Sequence, residues 1–289
     1  MTTVSEALSG KTARDENFPV ASRLVDRRRR PVILAFYRFV RAADDVADNP
    51  GLAPEEKIAL LDHLSDALCG RAQDPEAEPL RRALHEQGLA PKHALELLQA
   101  FRLDAVKKRY SDLGELMDYC RLSAMPVGRF VLDAHGEDRS LWPASDALCA
   151  ALQVINHLQD CAEDYRRLDR VYLPQSIFEA HGANAEMLGA DRASPELKGA
   201  IAELAAHAAS LVEQGSALVP QIADFRLSLE IAAIHALARR LAERLRRRDP
   251  LSEPVHLGKI EFISTACLGI IQRLARAYSI PRAKRRAGT

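Results

Sequence analysis

The sequence predicts an all-α protein, and three observations carry this prediction. Apolar residues recur at helical spacing in eight separate segments of the chain. No segment alternates apolar and polar residues with period two, as a half-buried strand would. Clusters of Gly, Pro, Asp and Ser separate the periodic segments. With 289 residues, of which 47% are hydrophobic, the chain is long enough to bury a substantial core.

The predicted helices follow one another without a linker rich in Pro, Gly and Ser. In chain order they are "PVILAFYRFVRAADDVAD", "EEKIALLDHLSDALCG", "KHALELLQAFRLDAVKKR", "LGELMDYCRLSAMPVGRFVLDAHG", "LWPASDALCAALQVINHLQDCAEDYRR", "ELKGAIAELAAHAASLVEQGSALVP", "DFRLSLEIAAIHALARRLAERL" and "KIEFISTACLGIIQRLARAY". Residues 1–289 are therefore predicted to form one helical-bundle domain, with a short polar N-terminal tail and a basic C-terminal tail.

Charge and cysteine usage limit the partners and the compartment. Lys plus Arg equals Asp plus Glu at 40 each, so no global field favours nucleic acid. The five cysteines contain no C-x-x-C pair, which fits a reducing cytoplasm. The segment "FISTACLGII" is too short to span a bilayer. The tail "PRAKRRAGT" is either solvated or in peripheral contact with anionic lipid at the inner face of the membrane.

A first acidic patch lies in "RAADDVAD". Asp44 and Asp48 are one helical turn apart, Asp45 lies beside them, and Arg41 precedes Asp44 by three residues. An acid-rich helix end of this kind is common on protein surfaces. Alone, the patch is therefore weak evidence for a metal site.

A second polar patch lies in "NHLQDCAEDYRRLDRVYLP". Asn156, Asp160 and Asp164 are spaced i, i+4 and i+8, which places three oxygen ligands on one helical face. Two carboxylates and an amide suit Mg²⁺, which takes one or two carboxylates together with substrate phosphates. His157 would permit a transition metal instead, although a lone His on a helix is more often packed or solvated.

The two patches can meet across a helical bundle. Burying so many carboxylates together raises their pKa values unless cations compensate them. Mg²⁺ ions with a diphosphate would provide that compensation. The arrangement indicates a reaction in which diphosphate leaves and a carbocation remains in an apolar chamber.

A proline interrupts the predicted helix at residues 113–136. Pro126 should kink this helix and leave the carbonyl of Leu122 without its helical donor. Two readings remain open. The kink only shapes the cavity, or the freed carbonyl orients water or stabilises a cation.

Four motifs in order make the sequence similar to the squalene and phytoene synthase family. They are "ENFPVAS", "YRFVRAADDVAD", "YCRLSAMPVG" and "NHLQDCAEDYRRLDRVYLP", and they span nearly the whole chain. "ENFPVAS" and the proline of "AMPVG" resemble the bacterial branch of hopanoid biosynthesis. The resemblance implies an all-α isoprenoid synthase fold around a central cavity.

The resemblance also implies functional residues. Metal ligands would be Asp44, Asp48, Asn156, Asp160 and Asp164, with Asp45 as a further participant. Catalytic roles are implied for Tyr37, Arg41, Asp44, Asp48, Asp160 and Asp164. Substrate contacts are implied for Asn17, Phe18, Tyr37, Arg41, Tyr119, Ser123, Val127, Gly128, Arg170 and Tyr172.

The implied reaction starts from presqualene diphosphate. Mg²⁺-assisted loss of diphosphate, rearrangement of the cation and capture by water would give hydroxysqualene, with no NADPH required. Where condensing relatives commonly carry Arg, this chain has Gln159, which implies one diphosphate rather than two.

Two alternatives remain open at this point. A condensing enzyme would join two prenyl diphosphates into phytoene, dehydrosqualene or presqualene diphosphate. A non-catalytic scaffold of the same fold would bind other proteins, although it has little reason to keep such acidic clusters. Contact with other enzymes of the pathway on a membrane is compatible with each reading.

Overall fold

The computed structural model describes residues 3, 4 and 26–279, with side chains up to residue 276. The predicted all-α class is confirmed, since this part of the chain contains helices and no strand. The helices are α1 (Arg30–Asp48), α2 (Pro54–Leu68), α3 (Glu78–Gln87), α4 (Lys92–Val106), α5 (Leu113–Ser123), α6 (Met125–His135), α7 (Trp142–Gln159), α8 (Cys161–Leu168), α9 (Gln175–His181), α10 (Pro195–Gly215), α11 (Leu218–Gln221), α12 (Phe225–Leu245) and α13 (Lys259–Ser279). Two short 3₁₀ turns cover Arg139–Leu141 and Ala185–Gly189.

Three helices that the sequence predicts as continuous are each divided in the structure. The helix predicted at 113–136 is interrupted at Ala124, and Pro126 occupies the first turn of α6, where its missing N–H costs nothing. The helix predicted at 141–167 is interrupted at Asp160, whose φ and ψ are −102° and 5°. The helix predicted at 196–220 is divided into α10 and α11. The short helices α3 and α9 were not predicted, because seven to ten residues give too few turns for a clear periodicity.

Side-chain caps fix where several helices begin. Asp112 accepts a hydrogen bond from the Glu115 backbone N–H at 2.9 Å at the start of α5. At the start of α12, the Asp224 side chain accepts hydrogen bonds from the backbone N–H groups of Arg226 and Leu227. These caps satisfy backbone donors that have no partner within the first helical turn. They fix the starts of two helices that contribute residues to the cavity described below.

The buried residues form two hydrophobic clusters with a cavity between them. One cluster joins α1 to α4 and includes Phe39, Leu61 and Leu98. The other is built on α7, α10 and α12 and includes Ile155 and Leu204. The cavity is lined by residues of both clusters. The cavity is thus the space that the two halves of the bundle leave unfilled.

Aromatic stacking ties the first cluster to α6. Phe36 on α1 and Phe130 on α6 stack with ring centroids 3.8 Å apart and planes within 8°. Stacking of two buried phenyl rings stabilises the contact by more than the burial of their apolar area alone.

In the described part of the chain, no helix combines the length and apolarity needed to cross a bilayer.

Gly128 allows α6 and α7 to approach closely. A Cβ atom at this position would lie 2.4 Å from Ser145 Oγ and 2.5 Å from Cys149 Sγ, both on α7. Gly128 also lines the cavity. The missing side chain therefore serves helix packing, in addition to its predicted place beside the substrate.

We expect Gly128→Ala to lower the free energy of unfolding by about 1–3 kcal/mol, because the added methyl group overpacks this interface. Urea unfolding followed by circular dichroism measures the change. Gly258→Ala is the matched control, since a Cβ there meets nothing within 4 Å. Equal stability of the two variants would show that α6 and α7 separate without cost.

Candidate active site

A cavity of about 490 Å³ opens between the two clusters, and one end of it is acidic. The acidic end is formed by the C-terminal half of α1 and by the junction of α7 and α8. The remaining wall is largely apolar. Its apolar side chains include Ile33, Phe36, Val40, Leu97, Phe101, Leu132, Leu148, Leu152, Leu218, Leu227, Ile231 and Ile234.

The first acidic patch reaches the cavity through Asp44 and Asp48. Both carboxylates line the cavity, one turn apart on α1. Arg41 Nη1 lies 2.6 Å from Asp44 Oδ2, so the basic residue predicted to act beside the patch is already paired with it. Asp45 is not among the lining residues, and its carboxylate lies 3.5 Å from Arg41 Nη2. Its role as a metal ligand stays a prediction.

The second patch reaches the same end of the cavity despite the interruption at Asp160. The Asp160 N–H donates to the Asn156 carbonyl at 2.9 Å, and the Asp164 N–H donates to the Asp160 carbonyl at 2.8 Å. These bonds keep the helical spacing across the junction between α7 and α8. Asn156, Asp160 and Asp164 therefore all line the cavity, as their spacing predicts.

Arg170 connects the first patch to the rest of the bundle. Its guanidinium donates to Asp48 Oδ1 at 2.5 Å, to the Ala47 carbonyl at 2.9 Å and to the Asp104 carbonyl at 3.1 Å. Lys57 Nζ also donates to the Ala47 carbonyl at 2.8 Å. Two buried cations thus satisfy the end of α1, where the helix dipole leaves partial negative charge.

Burial and mutual repulsion perturb the acids of both patches. Burial, followed by the Asp48 charge, raises the pKa of Asp44 to about 7. Burial, followed by the charges of Asp160 and Asp48, raises the pKa of Asp164 to about 7. Because Asp48 acts on both Asp44 and Asp164, the two patches share one electrostatic environment. A cation at this end of the cavity would stabilise the ionised forms.

The donor set fits a hard divalent cation that takes only part of its coordination from the protein. Within residues 26–276, no three acidic, His or Cys side chains converge closely enough to hold an ion by themselves. Each patch instead offers a pair of carboxylates, Asp44 with Asp48 and Asp160 with Asp164. Mg²⁺ usually binds one or two carboxylates and keeps its other positions for water and substrate phosphates.

A cluster of phenols lies beside the acidic end, around a carboxylate that sequence reasoning missed. Asp104 on α4 is 4% exposed. It accepts hydrogen bonds from Tyr119 Oη at 2.7 Å and from Tyr172 Oη at 2.9 Å. Tyr172 stacks on His157 with ring centroids 3.5 Å apart. Burial lowers the pKa of His157 to about 3, so the ring is neutral and packed.

Most residues predicted for the site line this one cavity. They are Tyr37, Arg41, Asp44, Asp48, Tyr119, Ser123, Val127, Gly128, Asn156, Asp160, Asp164, Arg170 and Tyr172. Asn17 and Phe18 lie outside the residues that the structure describes. Asp104 gave no sequence signal, because a single Asp on an amphipathic helix is ordinarily exposed.

A family model described as squalene/phytoene synthase matches residues 11–261. The chain belongs to the squalene/phytoene synthase family. The predicted family and the predicted isoprenoid synthase fold are thereby confirmed. Membership also makes the chain an isoprenoid synthase, as the two acidic patches on one cavity had indicated.

Relatives within the family are similar over almost the whole chain. A hydroxysqualene synthase of Rhodopseudomonas palustris is 55% identical over 91% of this chain and 90% of its own length. A hydroxysqualene synthase of Sinorhizobium fredii is 51% identical with the same coverage of both chains. The crystal structure of squalene synthase HpnC from Alicyclobacillus acidocaldarius has a TM-score of 0.70 and 33% identity, covering 79% of this chain and 87% of that one. The names of the first two relatives agree with the predicted function.

The raised pKa values predict how the metal-free chain responds to pH. The folded-state pKa values of Asp44 and Asp164 lie near 7, above the ordinary value of 3.8, so the folded chain binds more protons than the unfolded chain between these limits. Their contribution to stability is therefore present below about pH 4 and lost as pH rises through 7. Urea unfolding of the metal-free chain at pH 5.5 and pH 8 measures this loss.

A double variant isolates the two carboxyls. Asp44→Asn with Asp164→Asn removes the titration and should reduce the loss of stability between pH 5.5 and pH 8. Mg²⁺ with pyrophosphate should raise the melting temperature of the unsubstituted chain more at pH 8 than at pH 5.5. A double variant that loses as much stability as the unsubstituted chain would contradict the assignment.

Proposed function

We propose that this enzyme converts presqualene diphosphate into hydroxysqualene with the aid of Mg²⁺. The observation that carries the proposal is one cavity with two unlike ends. Asp44, Asp48, Asn156, Asp160 and Asp164 line the acidic end, and the rest of the wall is mostly aliphatic and aromatic. Such a cavity matches a substrate with a diphosphate at one end and a long hydrocarbon at the other.

The residues of the acidic end bind and orient the diphosphate. Asp44 with Asp48 and Asp160 with Asp164 are the pairs that would hold the metal, with Asn156 as a neutral oxygen donor. Mg²⁺ supplies positive charge that stabilises the departing diphosphate. Arg41 lines the same wall and is within hydrogen-bond distance of Asp44, where it can donate to a phosphate oxygen when substrate enters.

The apolar wall serves the carbocation that remains after diphosphate leaves. Phe36, Phe101 and Leu152 exclude bulk water, which would otherwise intercept the cation before it rearranges. Aromatic faces also stabilise positive charge through their quadrupoles. The chamber would thus let the cation rearrange before it meets bulk water.

Gln159 supports a substrate with a single diphosphate. The side chain is buried, and its Nε2 lies 3.1 Å from His256 Nδ1. Gln159 is not among the residues that line the cavity. It therefore adds no cation to the acidic end. A condensing enzyme that binds two prenyl diphosphates needs more positive charge there, which favours the reaction on presqualene diphosphate.

We expect Asp160→Ala to reduce diphosphate release from presqualene diphosphate by at least a hundredfold, because the second metal pair is broken. Asp160 has 45% of its side-chain surface exposed and lies 4.0 Å from His256, so its removal should leave helicity unchanged. At the first patch, Asp48→Asn is the variant to use for the same assay. Asp48 accepts a hydrogen bond from buried Arg170, and an alanine there would leave that cation without its carboxylate partner.

The assay compares presqualene diphosphate with farnesyl diphosphate, each with Mg²⁺ and with or without NADPH, and identifies products by mass spectrometry. Hydroxysqualene formed from presqualene diphosphate without NADPH is the expected result. Asp118→Ala is the matched control, since Asp118 lies on α5 with 65% of its side chain exposed and pairs with Arg121. Turnover of farnesyl diphosphate alone would identify a condensing enzyme instead.

We also propose that this cytoplasmic enzyme docks on an anionic membrane through α13. Ile260, Ile263 and Ile271 are 87%, 61% and 59% exposed on one face of this helix. The opposite face packs on α12, where a Cβ at Gly269 would lie 2.4 Å from the Ala232 carbonyl. Residues 280–289 add four Lys or Arg side chains. An exposed apolar stripe followed by basic residues is complementary to an anionic bilayer.

Vesicle sedimentation of the full chain tests this surface. Ile263→Asp with Ile271→Asp should lower the bound fraction on phosphatidylglycerol vesicles at least fivefold, because charge is added where the helix would insert. Val106→Asp is the matched control, since Val106 is 56% exposed at the end of α4. Equal binding by both variants would place the membrane contact elsewhere or exclude it.

A further inference from the structure

Helix α5 presents two hydroxyl groups to the cavity, one turn apart. Tyr119 and Ser123 both line the cavity, and residues at i and i+4 have Cβ atoms about 6 Å apart. Tyr119 Oη is hydrogen-bonded to Asp104 at 2.7 Å. Ser123 Oγ is buried and has no hydrogen-bond partner within the described part of the chain. One hydroxyl is therefore oriented by the protein and the other lacks a partner.

Asp104 determines which way the Tyr119 hydroxyl points. The carboxylate accepts from Tyr119 through Oδ2 and from Tyr172 through Oδ1. An ionised carboxylate has no proton to give, so both phenols must donate. The lone pairs of Tyr119 Oη are then left to accept a hydrogen bond from the cavity side. A charged acceptor also makes the phenol oxygen a better acceptor in turn.

The surroundings of Asp104 hold this arrangement in place. Its backbone carbonyl accepts a hydrogen bond from Arg170 Nε at 3.1 Å. Tyr172 is fixed by its stacking on His157, whose Nε2 lies 3.1 Å from Gln153 Nε2. Burial raises the pKa of Asp104 to about 6, while Arg170 and the two phenols oppose the rise. A group in this range can hold a proton and release it again near neutral pH.

Ser123 lies where the helix is interrupted. It is the last residue of α5, and Pro126 lacks the N–H that would reach the Leu122 carbonyl in a continuous helix. The next N–H, that of Val127, donates a hydrogen bond to the Ala124 carbonyl at 3.1 Å. A buried hydroxyl without a partner, beside a carbonyl that has lost its helical donor, is the polar setting in which proteins hold a single water molecule.

We propose that Tyr119 and Ser123 hold the water that ends the reaction, and that Asp104 is the positioning residue that orients Tyr119 towards it. This inference rests on the proposed function. It names the source of the hydroxyl group, which the acidic patches and the apolar wall leave unassigned. The same site explains how a chamber that excludes bulk water still yields an alcohol.

The step balances in atoms and charge. The water oxygen donates an electron pair to the cationic carbon, and the C–O bond forms. One water proton passes to Tyr119 Oη while the proton of Tyr119 moves to Asp104 Oδ2. A cation, water and a carboxylate become an alcohol and a carboxylic acid. Asp104 then returns its proton to solvent after diphosphate and product leave.

The test measures two quantities on presqualene diphosphate with Mg²⁺, using the full chain. They are the rate of diphosphate release and the fraction of product that carries a hydroxyl group, with ¹⁸O-labelled water identifying its source. For Ser123→Ala and Asp104→Asn the deciding quantity is the alcohol fraction of the product that still forms, whatever the change in the rate of release. The alcohol fraction should fall at least fivefold, with alkenes formed by proton loss in its place.

Two controls separate the water site from general packing. Ser145→Ala removes another hydroxyl from the cavity wall, one that already contacts the Cys149 thiol. Tyr110→Phe removes a buried phenol whose ring lies 5.5 Å from that of Tyr119 and whose hydroxyl has no partner in the described structure. Both variants should keep the alcohol fraction of the unsubstituted enzyme.

The outcomes are distinguishable. An unchanged alcohol fraction in Ser123→Ala overturns the water site even if Asp104→Asn fails to fold. A loss of release with an unchanged product ratio assigns both residues a structural role and overturns the inference. If the unsubstituted enzyme does not consume presqualene diphosphate, the proposed function falls, and the inference falls with it.

Discussion

The buried guanidinium of Arg170 is the contact on which the acidic end of the cavity depends. It pairs with Asp48, covers the carbonyl at the end of α1 and anchors on the backbone of Asp104. A cluster of carboxylates in a low-dielectric site is unstable unless cations lie among them. Arg170 places one such charge permanently, and Lys57 places a second behind it. The remaining negative charge would be balanced by metal cations.

This division of charge explains why binding and chemistry occur at one place. The acids of both patches face the same end of the cavity, where burial and mutual repulsion raise the pKa values of Asp44 and Asp164, and a divalent cation bound there would stabilise their ionised forms. The apolar wall begins within a turn of these acids, since Val40 precedes Asp44 on α1 and Leu152 precedes Asn156 on α7. A substrate with a diphosphate and a hydrocarbon chain would therefore have the bond between them at this boundary.

The interruptions of two helices create polar positions that a continuous helix would not provide. The interruption at Asp160 keeps its hydrogen bonds, so the second patch retains helical spacing. The interruption at Ala124 leaves Ser123 without a partner next to the phenols around Asp104. The close approach of α6 to α7 at Gly128 holds this second interruption against the wall of the chamber. Packing and chemistry thus depend on the same few residues.

The sequence by itself determined the long helices, the two acidic patches and the family, because helical spacing and ordered motifs are local properties of a chain. It predicted that Asn156, Asp160 and Asp164 share a face, and they do. Only the tertiary structure decided that Arg170 meets Asp48 across 122 residues and that Gln159 meets His256 across 97. It alone brought Asp104 to Tyr119 and Tyr172. Such pairs follow from how helices pack in three dimensions, and no local periodicity records which distant faces will touch.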